Sequence, residues 1–452
     1  MKLSRLMASL IASTLPLTAY SAPSPAEKDL AKIKNIVVIY LENHSFDSLY
    51  GTFPGADGIA NASPSASIQT DKEGNPYQTL PRVMDTRKKP AVPDERFPAI
   101  LPNRPFEIGQ YVPPSEKTGD LVHRFYQHQA QINGGKMDRF AAVSDAGGLT
   151  MGHYDGSKLP LWDYARRYTL LDHFFQAAFG GSFLNHMWLA CACTPKHENP
   201  PKENTIVLNR NRELVKDGAI TPDGYAVNTM FSIHSPQSPE EKDPNKNLQP
   251  LDKPTLGDRL TDKGISWAWY SGGWNNAIAG KPDPSFQYHH QPYTYFKRYA
   301  DHTQDRKAHL KDGADFMTAI EQGKLPAVSF YKPLGVLNEH PGYADVLSGD
   351  QQIADILAKI EKSPQWPNTV VIVTYDEFGG FWDHVAPPKV DRWGPGNRIP
   401  AIIVSPFSIN GGVNHVMYDT TSILKLIENR FDLKPLGSRD ARANSLAEAL
   451  KL

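Results

Sequence analysis

A short run of apolar, mostly β-branched residues, Thr369–Tyr375, is the feature of the sequence that most restricts the fold. It is too short for a buried helix and is typical of a strand that is covered on both faces. Similar runs occupy residues 36–41 and 400–405, and weaker ones residues 266–270 and 327–331. Amphipathic helical patterns, such as residues 351–362 and 421–429, lie between and around these runs. This alternation predicts an α/β fold with a mostly parallel central sheet and helices on both faces.

Two long segments interrupt this alternation, at about residues 60–118 and 196–255. Both are rich in proline, serine and charged residues, and the chain as a whole contains 38 prolines. Loops of this length commonly serve function. We therefore expect a single catalytic domain over residues 22–452, with these two segments as insertions that border the site. The alternative is that they only cover the sheet.

The first 21 residues have the pattern of an export signal. Lys2 and Arg5 precede an apolar stretch over residues 6–19, and the small residues Ser21 and Ala22 follow it. The stretch is too short to span a bilayer comfortably, so we expect cleavage and no stable membrane anchor. An uncleaved anchor helix is the alternative. The pattern predicts an exported protein, either periplasmic or secreted.

Net charge and cysteine content exclude several classes of protein. The 48 basic and 49 acidic residues nearly balance, which gives no electrostatic basis for binding nucleic acid. The two cysteines, Cys191 and Cys193, are too few for a zinc site by themselves. With one residue between them, we expect two reduced, buried residues rather than a bridge. The sequence contains no signal for an oligomeric state.

Acidic and amide side chains follow two of the predicted strands directly. Glu42 and Asn43 come after the first strand, and Asp376 and Glu377 come after the clearest one. Ligands of open α/β sheets bind beyond the carboxyl ends of the strands. If these strands are neighbours, three carboxylates and an amide oxygen converge, and such groups bind divalent cations. Each pair alone is also compatible with a helix cap or a solvated turn.

Ser182 follows two glycines and precedes a helical pattern over residues 183–191. This arrangement allows a tight turn that exposes the hydroxyl at a helix start, where free N–H groups favour a phosphate. A serine beside a cation can attack phosphorus. The alternative is a serine that only caps the helix. Leu184 replaces the second glycine of the Gly-x-Ser-x-Gly elbow, which excludes that motif.

Several histidines lie in polar segments bounded by proline or glycine. Most lone histidines are structural or exposed, but such a group suits donors to phosphate oxygens and an acid for the leaving group. The candidates are His123, His289, His290, His340 and His384.

The motif at residues 42–47, followed by Tyr50-Gly51, resembles the opening signature of the bacterial phosphoesterase family. The resemblance continues in the expected order through residues 133–138, 180–185, 288–290, 338–341 and 375–388. That family includes secreted acid phosphatases and phospholipases C and is related to the alkaline phosphatase superfamily. The resemblance therefore implies an alkaline-phosphatase-like fold.

The resemblance also implies a role for each matching residue. It implies one divalent metal ion, which could be Ca, Mg, Mn or Zn, bound by Glu42, Asn43, Asp376 and Glu377. Ser182 would be the nucleophile and pass through a phosphoserine intermediate. Catalytic histidines would be His123, His290 and His340. Substrate-binding residues would be His289, Asn185 and His384.

Together these features predict an exported, metal-dependent phosphoric-ester hydrolase of the acid phosphatase type. The substrate would be a small phosphomonoester. A phospholipase C that hydrolyses phospholipid head groups is the alternative, and aromatic residues clustered over residues 267–295 suit either a lipid-facing wall or core packing. A non-catalytic exported binding protein is a third interpretation, but the intact set of site residues argues against it.

Overall fold

The apolar runs form the centre of one eight-stranded sheet in the computed structural model, which describes residues 29–239, 242–408 and 411–452. The predicted export signal, residues 1–21, lies outside the described residues. In chain order the strands are β1 Asn35–Leu41, β2 Thr169–Leu171, β3 Trp267–Ser271, β4 Leu310–Asp312, β5 Val328–Lys332, β6 Thr369–Tyr375, β7 Ala401–Val404 and β8 Gly412–Asn414. Five of them were predicted, with bounds that differ by a residue or two at most.

The sheet has the strand order β4-β3-β5-β1-β6-β7-β2-β8. Every pairing is parallel except those of β7, which runs antiparallel to both β6 and β2. The prediction of a mostly parallel sheet is confirmed. Strands β2, β4 and β8 have only three residues each, which is too short to leave a pattern in the sequence.

The described α-helices vary from one turn to 17 residues. They are α1 Phe46–Tyr50, α2 Pro64–Ser67, α3 Phe125–Ile132, α4 Phe140–Val143, α5 Pro160–Arg167, α6 Ser182–Cys191, α7 Leu256–Asp262, α8 Trp274–Ile278, α9 Gln304–His309, α10 Gly313–Glu321, α11 Val346–Lys362, α12 Thr420–Phe431 and α13 Ser438–Arg442. Within the described ranges, none is long and apolar enough to cross a bilayer.

Helices cover both faces of the sheet, as predicted. The ring of Trp269 in β3 lies 6.0 Å from that of His186 in α6. The next residue, Tyr270, lies 5.2 Å from Phe316 in α10. Because successive strand residues point to opposite faces, α6 and α10 lie on opposite sides of the sheet. Helix α12 packs beside α6, and α11 packs beside α10 and α5.

The register of the central strands determines where the polar residues after them lie. Leu41 is paired with Tyr375, so that Glu42 and Asp376 begin side by side at the same edge. The N–H of Asp376 donates to the carbonyl of Leu41 at 3.0 Å. Strand β5 flanks β1 on the other side and ends in Lys332. The expectation that the two strands are neighbours is correct.

The two long segments contain mainly short elements. Paired strands of two or three residues outside the main sheet are Met84–Asp85 with Val92–Pro93, Phe106–Glu107 with Gly152–His153, Phe174–Phe175 with Tyr418–Asp419, Val207–Leu208 with Leu214–Lys216, and Phe231–Ser232 with Asn247–Leu248. Helix α2 lies in the first segment. The division into one domain with two insertions stays a prediction.

Cys191 and Cys193 form a disulfide, so the expectation of two reduced cysteines was wrong. Helix α6 ends at Cys191, and Ala192 adopts a left-handed conformation with φ of 47°. This reversal of the chain brings the two Cα atoms to 5.1 Å, which is within the usual range for a disulfide.

Truncation of a core residue tests the central position of β6. Ile372→Ala should lower the free energy of unfolding by about 2–5 kcal/mol, because Ile372 is fully buried in β6. The measurement is denaturant unfolding, with Ile100→Ala as the matched control, since Ile100 is 70% exposed. Equal losses in the two variants would contradict this packing.

Candidate active site

Three fully buried carboxylates lie together beyond the ends of β1 and β6. Glu42, Asp376 and Glu377 are all inaccessible to solvent. Asn43, the second residue after β1, has a φ of 58° and donates its backbone N–H to Asp376 Oδ1 at 3.4 Å. Asp376 Oδ2 and Glu377 Oε1 have no hydrogen-bond partner. Buried unpaired carboxylate oxygens are costly unless a cation binds them.

Lys332 supplies the one ammonium group that contacts this cluster among the described residues. Its Nζ contacts Glu42 Oε1 and lies 3.7 Å from Asp376 Oδ2. It also donates to the carbonyl of Leu41 at 3.2 Å. Sequence reasoning missed Lys332. The signal was present, since it is the polar last residue of a buried strand, like the residues that follow β1 and β6.

The surroundings shift the pKa values of the three carboxyls in different directions. Burial works against the charge of Glu42, but the neighbouring His290 and Lys332 outweigh it and hold the pKa of Glu42 well below its ordinary value. Burial raises the pKa of Asp376 well above its ordinary value, and the charge of Glu42 adds to this. Burial likewise raises the pKa of Glu377. Without a further cation, the last two carboxyls therefore keep their protons to a higher pH than free carboxyls do.

This donor set fits a divalent cation. With all three carboxylates ionised and Lys332 protonated, the net charge of the four groups is two negative, which one dication balances. Burial lowers the pKa of His290 to about 4, although the charge of Glu42 partly opposes this. Glu42, Asn43, Asp376 and Glu377 offer oxygen ligands, which suit hard cations. The residues that the resemblance assigned to the metal are thus brought together.

Ser182 is the first residue of α6, and its side chain points at the same cluster. Ser182 Oγ lies 3.2 Å from Glu42 Oε2 and 3.3 Å from Asn43 Oδ1. The turn before it depends on Gly180, whose φ is 84° and where a Cβ would lie 2.6 Å from the backbone nitrogen of Phe125. Gly181, Ser182 and Phe183 at this helix start line a cavity, and the first N–H groups of a helix have no partner within it.

Asn185 supports that turn and does not reach the cavity. Its Nδ2 donates to the carbonyls of Ala178 at 3.2 Å and Gly181 at 3.1 Å. Its Oδ1 accepts the N–H of Ala178 at 2.9 Å. This fully buried side chain thus makes its hydrogen bonds to the backbone of the turn, and the substrate-binding role expected of Asn185 stays a prediction.

A cavity of about 280 Å³ opens over Ser182. Its walls combine charged, polar and a few apolar side chains. They are Glu42, Asp120, His123, Arg124, Gly181, Ser182, Phe183, Val227, Asn228, Thr229, Gln287, His289, His340 and Tyr343. Val227, Asn228 and Thr229 come from the second predicted insertion, so part of that segment does border the site.

His123 and His340 present the same ring nitrogen to the cavity. In each ring Nδ1 lies 2.6 Å from a backbone carbonyl, that of Leu121 or of Pro341. Nδ1 therefore carries the hydrogen in the neutral ring, and Nε2 is the free nitrogen. His123 Nε2 lies 3.7 Å from Glu377 Oε1, and His340 Nε2 lies 3.9 Å from Glu42 Oε2.

His290 lies behind the cavity wall, against the carboxylates. Its Nε2 is 2.8 Å from Glu42 Oε1, and its ring stacks on that of His186 at 5.2 Å. His186 Nδ1 lies 2.8 Å from the carbonyl of Ser182. Glu42, His186 and His290 together could also bind a metal ion. Sequence reasoning did not select His186, although it follows Ser182 by four residues and so shares its helix face.

The structure does not bring His384 to this cavity. Its Nδ1 lies 2.7 Å from Asp47 Oδ2, and its Nε2 lies 3.2 Å from Asp57 Oδ1. Burial works against its charge, but the hydrogen bond to Asp47 and the negative charges of Asp47 and Asp383 together outweigh this and raise the pKa of His384 to about 9. His384 therefore lies in an ion pair away from the cavity, and the substrate-binding role predicted for it stays a prediction.

Serine, carboxylates and histidines around a polar cavity define the site of a phosphoric-ester hydrolase, and the comparisons agree. The chain belongs to the Phosphoesterase family, whose model matches residues 33–434. Phospholipase C B of Mycobacterium tuberculosis is 26% identical over 91% of this chain and 76% of its own length. Non-specific phospholipase C3 of Arabidopsis thaliana is 23% identical over 92% of this chain and 72% of its own.

Similarity to solved structures is weaker. The lipoteichoic acid synthase LtaP from Listeria monocytogenes aligns with 92% of this chain and 81% of its own, with 9% identity and a TM-score of 0.38. A protein in the alkaline phosphatase superfamily from Vibrio parahaemolyticus aligns with a TM-score of 0.34 at 10% identity. Scores this low do not establish a shared fold, so the assignment rests on the family match.

The raised pKa values predict how stability depends on pH when divalent cations are removed. Folded Asp376 and Glu377 then retain protons that the unfolded chain loses above a pH of about 4, so the free energy of unfolding should fall as pH rises. Denaturant unfolding in chelator across a pH series measures this. Asp376→Asn/Glu377→Gln should weaken the dependence, and the exposed Asp432→Asn should not. An unchanged dependence in the double variant would contradict the assignment.

Proposed function

We propose that this chain is a divalent-cation-dependent phosphomonoesterase of the acid phosphatase type, with Ser182 as its nucleophile. The observation that carries the proposal is the position of Ser182 Oγ, within hydrogen-bonding distance of Glu42 and Asn43 at the base of a polar cavity. The residues before the described part, 1–21, have the pattern of an export signal, and we include export in the proposal.

The size and lining of the cavity favour a small phosphorylated alcohol. A space of about 280 Å³ accommodates a phosphoryl group and a compact alcohol. Polar and charged side chains dominate its walls, and its apolar members are few. Such walls suit a hydrated, charged monoester better than an acyl chain, which requires apolar surface.

The cation would be held by Glu42, Asn43, Asp376 and Glu377. When bound, it would lower the pKa of the serine hydroxyl and neutralise phosphate charge. Ser182 donates a hydrogen bond to Glu42 Oε2, and it would transfer that proton to Glu42 as its oxygen attacks phosphorus. The N–H groups at the start of α6 would bind phosphoryl oxygens.

His123 and His340 have the geometry for proton transfer at the leaving group. With Nδ1 bound to a backbone carbonyl, each ring presents Nε2 to the cavity. A protonated ring would give that proton to the departing alcohol as the ester P–O bond breaks. Water would then attack the phosphoserine and give a proton to a histidine. The bond between Ser182 and phosphorus would break, Glu42 would return its proton to Ser182, and phosphate would leave. His289, which also lines the cavity, would help to bind the phosphoryl oxygens.

Phospholipase C activity is the second candidate, because the curated relatives described above carry that name. The aromatic cluster considered as a lipid-facing wall gives it little support. Trp267, Trp269, Tyr293 and Tyr295 are all buried in the core, at 3% exposure or less. The same Ser182, cation ligands and histidines would serve either substrate.

Removal of the Ser182 hydroxyl tests the nucleophile. Ser182→Ala should lower kcat/KM for a phosphomonoester by about 10³-fold or more, since no other group would form the covalent intermediate. Ser329→Ala is the matched control, because Ser329 is buried within β5 and its hydroxyl has no hydrogen-bond partner. Near-normal activity of Ser182→Ala, with its fold intact by circular dichroism, would rule out the mechanism.

Loss of one cation ligand should remove metal and activity together. Asp376→Asn keeps the shape of the side chain but removes a negative charge from the cluster. Metal content of the dialysed protein and hydrolysis rate are measured on the same sample. Asp432→Asn serves as an exposed control. Retention of both metal and activity by Asp376→Asn would remove it from the ligand set.

Parallel assays separate the two substrate classes. The chain is tested on para-nitrophenyl phosphate and on phosphatidylcholine vesicles, each with and without chelator. Faster cleavage of the monoester, abolished by the chelator, is the expected result. Release of diacylglycerol as the dominant activity would instead establish the phospholipase candidate.

A further inference from the structure

A second group of metal-ligating side chains lies at the edge of the sheet, away from the cavity. The neighbouring strands β2 and β8 are parallel, and Leu171 is paired with Asn414 at their ends. Asp172 and His173 follow β2, and His415 follows β8. The register thus places one carboxylate and two imidazoles side by side at the carboxyl ends of adjacent strands.

The ligand atoms of these three residues converge on one point. His173 Nδ1 lies 2.9 Å from Asp172 Oδ1, and His415 Nδ1 lies 2.8 Å from Asp172 Oδ2. One ligand atom from each of the three residues lies within 4.8 Å of the others. Ligand atoms at about 2.0–2.2 Å from a zinc ion lie about 3–3.5 Å apart, so any pair near the 4.8 Å limit would close by about 1–2 Å on binding.

Asp57 contacts two of these three residues without itself being one of the proposed ligands. Its carboxylate Oδ2 lies 3.3 Å from His173 Nε2, the ring nitrogen that faces away from Asp172. Its backbone N–H donates to Asp172 Oδ2 at 2.8 Å. A histidine that binds metal commonly donates its other ring N–H to a carboxylate, which fixes the ring and its tautomer. Asp57 Oδ1 lies 3.2 Å from His384 Nε2, which orients this carboxylate in turn.

We propose that Asp172, His173 and His415 bind a transition-metal dication of the Zn²⁺ type, at a site separate from the catalytic cation. Two imidazole nitrogens and one carboxylate favour zinc and its neighbours over calcium or magnesium, which prefer oxygen. Asp172 is fully buried, whereas the His415 side chain is 60% exposed. The ion would therefore be held from within and keep a position open to water.

The proposed site is independent of the catalytic one. Asp57, Asp172, His173 and His415 are all absent from the lining of the cavity over Ser182. Strands β2 and β8 stand two and three places from β6 in the sheet. Histidine–carboxylate hydrogen bonds alone would also explain the short distances, so the test must detect the metal itself.

Metal stoichiometry tests the proposal with the full chain. The parent protein, His173→Gln/His415→Gln and Asp376→Asn are stripped with chelator, loaded with Zn²⁺, dialysed and analysed for bound zinc. The double variant should bind one equivalent fewer than the parent and keep its hydrolytic activity when the catalytic cation is resupplied. Asp376→Asn alone should still retain the zinc bound at the proposed site. The triple variant, which adds His173→Gln and His415→Gln to Asp376→Asn, should lose that zinc.

Two further variants make the result specific. His234→Gln removes an isolated histidine near a carboxylate, with His234 Nδ1 3.7 Å from Asp301 Oδ2, and should leave the stoichiometry unchanged. Asp57→Asn should weaken zinc binding about tenfold to a hundredfold without abolishing it. Equal zinc content in Asp376→Asn with and without the two histidines would overturn the proposal, whatever the outcome for catalysis.

Discussion

The concentration of negative charge beyond β1 and β6 is the constraint on which the rest of the site depends. Glu42, Asp376 and Glu377 are fully buried within one cluster, where neither water nor distance reduces their repulsion. Lys332 neutralises part of it through Glu42. Burial raises the pKa values of Asp376 and Glu377, and the charge of Glu42 adds to this, while the remaining negative charge suits a dication. The oxygen ligands and the charge of this cluster suit a divalent cation.

Close backbone packing holds this cluster together. Gly379 has a φ of 64°, and a Cβ there would lie 2.1 Å from the carbonyl oxygen of Asn43. The turn after β6 therefore lies so close to the turn after β1 that no side chain fits between them at this position. The N–H of Gly379 also donates to Glu377 Oε2 at 2.7 Å. Glycine at this position is thus what allows both strand ends to direct their side chains to one point.

Much of the fold was predictable because long, doubly covered strands have a distinctive composition. Strands β1 and β6 could be predicted for this reason. The acidic residues after them were selected because ligands of open α/β sheets bind beyond the carboxyl ends of the strands. The three-residue strands β2, β4 and β8 were not, because their register comes from neighbours distant in sequence. Lys332 could have been selected as the polar last residue of a buried strand, but its ion pair with Glu42, 290 residues away, came only from the structure.

Residue roles were less predictable than positions. Asn185 and His384 belong to motifs that resemble the family, but their side chains bind Ala178, Gly181, Asp47 and Asp57 rather than the cavity. A motif records that a residue matters without saying which atoms it contacts. The disulfide depends on the left-handed conformation of Ala192 after α6, and no local sequence pattern predicted that conformation.

The most direct measurement of the central claim is the site of covalent labelling during turnover. A phosphomonoester substrate is mixed with the cation-loaded enzyme, the reaction is quenched in acid, and the peptides are analysed by mass spectrometry. The account predicts a phosphoryl group on the peptide that contains Ser182, and specifically on that serine. Phosphorylation of a histidine, or turnover with an initial burst and no phosphorylated Ser182, would contradict it.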